Sequence, residues 1–532
     1  MRKFALMLAV VLALTCSVAF AVEGPATDYS LYPLTDEKIT VTVTHAYTDV
    51  MPADWSTVWF WQQLEELTNV HLEFTPVPSS DRATRLNLMF GSGDLPEILF
   101  KMAVSGTQQA QYGAEGLLID LKQYEDVMPN FKYWLDAYPT ARAAVTQADG
   151  NIYGCPYILT GYAIRMGDRM FYNSQVLEYA GLTAAPTTLD EFYEYLTAIK
   201  DFDYNQNGID DTIPWGFSDW SQLDYTLAGS FGLMNRGSSC YWVDQNEDGS
   251  ARFWHTADGY KELMRYCAKL YAEGLLDPDL FTDEFAQLIT KCAEGRTLTY
   301  CFCNNSPVSG AYEQYTVPMV EPLEGYNGEK MWSNFSMPAS QSANFCITKN
   351  CPEEKREIMA KWADYFYSID GIVAYFMGQE GESYTYDAAT DTYALTDKIL
   401  NDPEGRNFEQ VQSAWCTWAG GMNPSCATNE LFKGGETWPC SLESAAGLIN
   451  YTPDTFEGGA VWAPFVFDAD TASRVSILTG NFDTYLKEWA GNFITGAKDV
   501  DADWDEYVTG FEGVGAAEYI SIIDAKIDEL GL

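Results

Sequence analysis

The sequence predicts an α/β protein that is divided into more than one lobe. Segments with the alternation of a strand and segments with the periodicity of a helix follow each other along the chain, which is typical of mixed α/β layers. At 532 residues the chain is also much longer than one domain of about 100–200 residues. The sequence shows no internal repeat and no low-complexity linker, which argues against a flexible tether between the lobes.

The first 21 residues have the three parts of a secretory signal peptide. Arg2 and Lys3 form a basic region, residues 4–14 are almost wholly apolar, and residues 19–21 form a small-x-small cleavage site. We therefore predict that residues 1–21 are removed and that the protein is secreted or held at the cell surface. Lipid anchoring through Cys16 is a less favoured alternative, because threonine is a poor residue to precede a lipidated cysteine.

The net charge argues against one class of partner. The chain has 31 basic and 76 acidic residues, which give a formal net charge of −45. A field of that sign repels phosphate backbones, so we expect no binding of nucleic acid.

Strand and helix patterns alternate through the first part of the chain. Residues 39–44 alternate apolar and polar side chains and predict a first strand, and residues 57–69 predict an aromatic-rich helix. Residues 93–100 predict a turn that leads into a strand, and residues 116–121 predict a short buried segment. This order favours α/β layers over a β-sandwich.

Three local signals follow one another within residues 171–217. A strand pattern ends at Asn173, and Thr188 can cap the next helix while Glu191 reaches back to complete a capping box. Residues 203–211 then have the alternating oxygen-ligand spacing of a calcium loop. The segment therefore predicts a strand, a capped helix and an ion-binding loop in succession.

The loop at residues 203–211 supplies candidate ligands for a structural Ca²⁺ ion. The ligands would be the side-chain oxygens of Asp203, Asn205, Asn207 and Asp211 and the backbone carbonyl of Ile209. Gly208 permits the sharp turn. The twelfth loop position is Pro214, which cannot ligate through its side chain, so we expect a weak site. The alternative is a polar turn without an ion.

Taken in order, the motifs resemble those of the family 1 extracellular solute-binding proteins that feed carbohydrate ABC importers. The matching segments are GDLPEI at 93–98, GLLIDL at 116–121, DGNIYGCP at 149–156, FYN at 171–173, PTT at 186–188, DYNQNG at 203–208, YAEGLLDP at 271–278, GQEGE at 378–382 and FITG at 493–496. Each motif alone is weak, but their common order is specific and covers nearly the whole mature chain.

The resemblance implies a type II periplasmic-binding-protein fold, in which two α/β lobes enclose an interlobe cleft. Both lobes are expected to be discontinuous. We assign residues 22–160 plus 297–344 to the N-terminal lobe and residues 161–296 plus 345–532 to the C-terminal lobe. The chain is expected to cross between the lobes near residues 156–163, 296–302 and 344–347.

The resemblance also implies a receptor that captures a sugar or oligosaccharide and delivers it to the permease of an ABC importer. Sugar rings need flat apolar faces and hydrogen-bonding groups. Candidates in loops at the lobe edges are the aromatic residues Trp55, Tyr157, Tyr162, Trp220, Trp332 and Trp438 and the hydroxyl acceptors Asp94 and Asp219. We expect a monomer that binds without catalysis.

Two other functions stay open from the sequence. One is a binding protein of the same fold for a non-sugar solute such as a peptide, because fold alone does not decide the ligand. The other is a secreted glycan hydrolase, which needs a pair of carboxylates. With 76 acidic residues some pair is inevitable, and the three histidines form no HExxH motif, so the sequence offers no recognisable catalytic constellation.

Overall fold

Two α/β lobes make up the part of the protein that the structure describes. The computed structural model describes residues 24–48, 50–161, 165–305, 310–336, 339–390, 392–404, 406–428, 431, 439–452 and 461–532. Each lobe has one main sheet and its own hydrophobic core. The predicted two-lobed α/β fold is confirmed, whereas the predicted signal peptide, with Cys16, lies outside the described residues.

The strands of the described residues range from two to nine residues in length. In chain order they are β1 (Ile39–Tyr47), β2 (Val70–Pro78), β3 (Ile98–Val104), β4 (Cys155–Leu159), β5 (Arg169–Asn173), β6 (Ile213–Gly216), β7 (Asp244–Gln245), β8 (Ala251–Arg252), β9 (Thr297–Phe302), β10 (Thr316–Pro318), β11 (Ala339–Ile347), β12 (Tyr384–Asp387), β13 (Thr392–Leu395) and β14 (Cys426–Ala427). The predicted strand at residues 39–44 and the strand that follows the turn at residue 93 are both present.

The helices of the described residues alternate with these strands. They are α1 (Trp59–Thr68), α2 (Arg82–Ser92), α3 (Gly106–Ala114), α4 (Pro129–Ala137), α5 (Pro139–Val145), α6 (Ser174–Tyr179), α7 (Leu189–Ile199), α8 (Gln222–Leu227), α9 (Asp258–Ala272), α10 (Phe285–Ala293), α11 (Glu353–Asp364), α12 (Ile369–Met377), α13 (Asp397–Leu400), α14 (Phe408–Gln412), α15 (Pro439–Leu448), α16 (Ala469–Ile494), α17 (Val500–Gly513) and α18 (Ala516–Leu530). Within the described residues, none of them combines the length and apolar character needed to cross a membrane.

The first lobe is built on a six-stranded sheet with the order β14-β4-β11-β3-β1-β2. β1 runs parallel to both of its neighbours, so that Val43 pairs with Phe74 on β2 and with Ile98 on β3. β11 is antiparallel to β3 and β4. Aromatic side chains of the helices complete the core. The rings of Trp61 on α1 and Trp362 on α11, for example, stack with centroids 6.2 Å apart.

The second lobe is built on a four-stranded sheet with the order β10-β5-β9-β6. β5 and β9 are antiparallel and pair Phe171 with Tyr300, while β6 and β9 are parallel. Trp215 of β6 meets the edge of Phe192 on α7, with ring centroids 4.9 Å apart. Helices α9, α16 and α17 pack on the same core.

The helix predicted after Thr188 begins where the sequence indicates, but its cap differs in detail. Thr188 Oγ1 accepts a hydrogen bond from the backbone N–H of Glu191 at 3.1 Å, as predicted. The Glu191 carboxylate accepts at 2.9 Å from the N–H of Thr187, one residue before the N-cap. Both contacts satisfy backbone donors near the start of α7, so the local signal was sufficient to place this helix.

The lobe boundaries that follow from the two sheets differ from the predicted boundaries. β9 (residues 297–302) was assigned to the N-terminal lobe, but it pairs with β5 and β6 inside the second sheet. β11 lies in the first sheet and residues 351–427 contribute to the first core, although residues 345–532 were assigned to the C-terminal lobe. Judged from the described elements on either side, the chain passes from one lobe to the other after β4, after β10 and after β14. Apolar strands look alike in sequence, so their pattern does not reveal which sheet they join.

Candidate ligand-binding cleft

A cavity of about 340 Å³ lies between the two lobes. From the first lobe it is lined by Thr48, Tyr157, Glu409, Trp418 and Asn423, among others. From the second lobe it is lined by residues that include Phe285, Phe302, Cys303, Asn304 and Ser441. Its volume falls within the range of about 300–1,000 Å³ that is usual for small-ligand pockets.

The strands place both walls of the cavity. Thr48 directly follows β1, and Phe302 is the last residue of β9. Ligands of open α/β sheets commonly lie outside the carboxyl ends of the strands, where loops and helix ends supply the side chains. The cavity occupies that position in both lobes.

Aromatic rings flank the cavity in each lobe. In the second lobe, Phe285 and Phe302 stack with centroids 4.5 Å apart and planes 11° from parallel. In the first lobe, Phe376 of α12 supports both lining aromatics, with its ring centroid 6.2 Å from Tyr157 and 6.2 Å from Trp418. The cavity therefore has flat apolar surface on both sides and a small number of polar groups between them.

Lys101 holds the loop that carries Trp418 and Asn423. Its ammonium group donates to the carbonyls of residues 417, 418 and 419 at 2.9, 3.2 and 2.9 Å, and to Asn423 Oδ1 at 3.0 Å. Lys101 is 1% exposed, and this burial lowers its pKa well below the usual value. Its backbone has a φ of 54°, which is unfavourable for a residue other than glycine. Lys101 was not predicted as a site residue. The one signal in the sequence was that it is a charged residue inside an otherwise apolar strand.

Glu409 is the carboxylate of the cavity wall. It lies on the short helix α14 and is 8% exposed, and burial raises its pKa to about 7. No residue in the described parts of the chain makes a hydrogen bond or an ion pair with its carboxyl group. Because it stands among 76 acidic residues, the sequence contained no signal that would have singled it out.

Arg169 stands behind the second-lobe wall. The side chain is fully buried and donates to the backbone carbonyls of Gly167 at 2.8 Å and Ser441 at 3.3 Å. Burial lowers its pKa to about 10. The contact with Ser441 ties β5 to α15, which supplies part of the cavity wall.

Of the predicted ligand-binding residues, Tyr157 lines this cavity. Trp55 is instead fully buried in the first core, with its ring centroid 3.7 Å from that of His45. Trp332 is 1% exposed, and its indole N–H lies within hydrogen-bonding distance of the carbonyls of Met166 and Asn334. Both tryptophans pack inside a lobe rather than on the cleft, because their rings are needed to fill the cores.

The other predicted residues do not line the cavity where the structure describes them. Trp220 is 8% exposed and stacks on Phe281 in the second core. Asp219 is exposed and accepts a hydrogen bond from the N–H of Ser221 at 2.9 Å. Asp94 precedes β3, which places it at the opposite end of the parallel strands from Thr48. Tyr162 and Trp438 lie outside the described residues.

The predicted ion loop forms a tight polar turn between α7 and β6. The Asp203 carboxylate accepts hydrogen bonds from the N–H groups of Asn207 and Gly208, each at 3.0 Å. Gly208 has a φ of 72°, as the sharp turn requires. Asp211 Oδ2 lies 3.1 Å from Arg296 Nε, so a guanidinium group shares the ninth loop position. The side-chain oxygens of this loop suit a hard cation, whereas the positive charge of Arg296 beside Asp211 disfavours cation binding.

Sequence comparison identifies related proteins. Residues 59–409 match the model of the bacterial extracellular solute-binding protein family. The chain is 26% identical over 545 residues to the fructooligosaccharide ABC transporter substrate-binding protein FusA of Streptococcus pneumoniae, across 99% of this chain and 98% of that protein. It is 22% identical to the polygalacturonan/rhamnogalacturonan-binding protein YtcQ of Bacillus subtilis, across 69% of this chain and 68% of that protein.

Structural comparison gives the same relationship. The structure of an EF-hand mutant of S. pneumoniae FusA in complex with fructo-nystose superposes with a TM-score of 0.76. The match has 23% sequence identity and covers 93% of this chain and 99% of that chain. The resemblance seen in the sequence motifs is thus confirmed. The chain belongs to the bacterial extracellular solute-binding protein family.

Proposed function

We propose that the protein captures an oligosaccharide in the cleft between its lobes and passes it to the membrane permease of an ABC importer. The observation that carries this proposal is the cavity itself, which presents aromatic faces from both lobes around a few polar side chains. Flat apolar rings suit the C–H faces of sugars, and the side chains of Asn304 and Glu409 carry polar groups of the kind that bind hydroxyls. The full-length similarity to FusA supports a carbohydrate ligand.

We also propose that the protein binds its ligand without turnover. Glycoside hydrolysis requires two carboxyl groups about 5–9.5 Å apart on either side of the scissile bond. Among the described residues that line the cavity, Glu409 is the one carboxylate. Membership in a family of extracellular solute-binding proteins supports the same view and a location outside the cytoplasmic membrane.

The loop at residues 203–211 is proposed to bind Ca²⁺ as a structural ion. Asp203, Asn205, Asn207, Asp211 and the carbonyl of Ile209 would hold it. A bound cation would offset the negative charge of the loop and rigidify the connection from α7 to β6. The structure of FusA that superposes on this chain is that of an EF-hand mutant, which supports an ion-binding loop in this protein too.

A ligand panel tests the main proposal. Melting temperatures of the mature protein should be measured with neutral oligosaccharides, including fructooligosaccharides, with acidic oligosaccharides and with peptides. A ligand that binds the folded state raises the melting temperature by mass action, by an amount that corresponds to about 2.7 kcal/mol at 100 times Kd. Stabilisation by a sugar supports the proposal. Stabilisation by peptides alone would replace it with a non-sugar receptor, and sustained release of glycan products would indicate a hydrolase.

A further inference from the structure

We infer that the cleft selects uncharged oligosaccharides over uronate-containing ones, and that Glu409 is the residue that makes this selection. The inference rests on the proposed function and narrows it to one class of sugar. The relatives do not decide the matter, because the name of FusA specifies fructooligosaccharides whereas the name of YtcQ specifies polygalacturonan.

Glu409 is held in position by its own short helix. Asn407 and Gln410 form a reciprocal capping box, in which Asn407 Oδ1 accepts from the N–H of Gln410 at 2.9 Å and Gln410 Oε1 accepts from the N–H of Asn407 at 3.1 Å. This box fixes the first turn of α14, where Glu409 is located. Glu409 thereby lines the cavity while the residue as a whole is 8% exposed.

No described residue compensates the charge of Glu409. Among the described residues, Lys101 and Arg169 lie behind the walls, and both donate to backbone carbonyls or to an amide oxygen. Across the cleft lies the thiol of Cys303, whose pKa is raised by burial and by the neighbouring carboxylates of Asp168 and Glu409. A buried carboxyl group is costly unless it is hydrogen-bonded, and no described residue pairs with that of Glu409, so it is a group that a ligand should satisfy.

Sugar hydroxyls can satisfy this carboxyl group in either protonation state. The ionised form accepts hydrogen bonds from two hydroxyls, and the protonated form donates one hydrogen bond and accepts another. A uronate would instead bring a second negative charge into the same low-dielectric cavity. Like charges at such distances disfavour each other, so uronate binding would require Glu409 to take up a proton first. An uncharged oligosaccharide avoids that requirement.

The experiment uses a matched pair of ligands. The neutral oligosaccharide that binds best in the panel is compared by calorimetry at pH 8 with the same oligosaccharide after oxidation of a terminal primary alcohol to a carboxylate. We expect the parent protein to bind the oxidised form at least tenfold more weakly. In Glu409→Gln, which keeps the size and hydrogen bonding but removes the charge, this difference should shrink at least threefold. Glu404→Gln, at an exposed glutamate of the same segment, should leave it unchanged.

A pH series on the parent protein provides a second measurement that does not depend on the folding of a variant. Because the pKa of Glu409 is about 7, its carboxyl group is mostly protonated at pH 5.5 while the uronate stays ionised. The discrimination should therefore be smaller at pH 5.5 than at pH 8. Tyr157, Asp168, Cys303, Lys101 and Arg169 are the other described titratable groups at the walls, and Glu409→Gln should remove the pH dependence if it belongs to Glu409.

The outcomes separate this inference from the proposed function. Equal affinity for the two ligands, or preference for the oxidised one, overturns the inference and leaves an oligosaccharide receptor. Discrimination that is the same in Glu409→Gln and in the parent also overturns the role of Glu409. Failure of every sugar to bind overturns the proposed function and the inference together.

Discussion

The ammonium nitrogen of Lys101 lies 3.0 Å from Oδ1 of Asn423, although 322 positions separate the two residues in the chain. The same Asn423 oxygen accepts a hydrogen bond from the hydroxyl of Tyr375 at 2.8 Å. β3, α12 and the loop at residues 417–423 therefore meet at one buried point beneath the cleft. Because Asn423 and Trp418 both line the cavity, this point positions side chains of the cavity wall.

The first prediction concerns the role of Lys101. Replacing Lys101 with Met leaves buried carbonyls of the 417–423 loop without a donor, at a cost of about 1–3 kcal/mol for each unsatisfied group. We expect a lower melting temperature and at least tenfold weaker ligand binding, measured by calorimetry. Lys361→Met is a matched control, because Lys361 pairs with Glu357 on the surface of the same lobe. Normal ligand affinity in Lys101→Met would show that the loop does not depend on it.

The second prediction separates cleft aromatics from core aromatics. Trp418→Ala removes a half-buried ring from the cavity wall and should weaken ligand binding by about 1–3 kcal/mol, or roughly 5- to 150-fold. Its melting temperature without ligand should change little. Trp55→Ala should instead cost about 3–5 kcal/mol of stability, because its side chain is fully buried. Trp220→Ala should resemble Trp55→Ala. A stable Trp220→Ala protein with weakened ligand binding would instead show that Trp220 contacts the ligand.

The third prediction tests the ion loop. Added Ca²⁺ should raise the melting temperature of the parent protein and a chelator should lower it, because an ion bound to the folded state stabilises it. Asp203→Ala removes the first of the proposed ligands and should abolish this response. Asp248→Ala is the control, since Asp248 lies in the exposed turn between β7 and β8 and bonds to Ser250. Equal responses of the two variants and the parent would refute an ion site at residues 203–211.

The fourth prediction is a pH dependence of stability through Asp364. Its buried carboxylate accepts hydrogen bonds from the N–H of Phe131 at 2.7 Å and from Asn130 at 2.8 Å, yet burial raises its pKa to about 7. The folded protein therefore holds a proton that the unfolded chain releases above pH ~4. The stability that this group contributes is present at low pH and is lost as the pH rises through about 7.

Denaturant unfolding between pH 5 and 8 measures this contribution. The advantage of the parent over Asp364→Asn should grow as the pH falls from 8 to 5, because the variant lacks the titrating group. His45 acts in the opposite direction, since burial lowers its pKa to about 3, and it is common to both proteins. Glu354→Gln, an exposed change on the same helix, should follow the parent at every pH. Parallel curves for Asp364→Asn and the parent would contradict the assignment.

The elements that sequence reasoning placed correctly depend on neighbours in the chain. The cap at Thr188 and the turn at Gly208 are contacts between residues three to five positions apart. Tyr157 was found because an ordered set of motifs located the first connection between lobes. By contrast, Trp55, Trp332 and Trp418 have the same side chain. The neighbouring sequence did not reveal that Trp55 and Trp332 are buried in the cores.

The sequence by itself determined the α/β class, the family, the capped helix α7 and the polar turn at residues 203–211. Periodicity and side-chain capping act over a few residues, so they can be read directly from the order of amino acids. The tertiary structure decided which sheet receives β9, and it placed Lys101 beneath the cleft and Glu409 in its wall. Strand pairing and burial depend on residues hundreds of positions apart, and local sequence patterns carry no record of those partners.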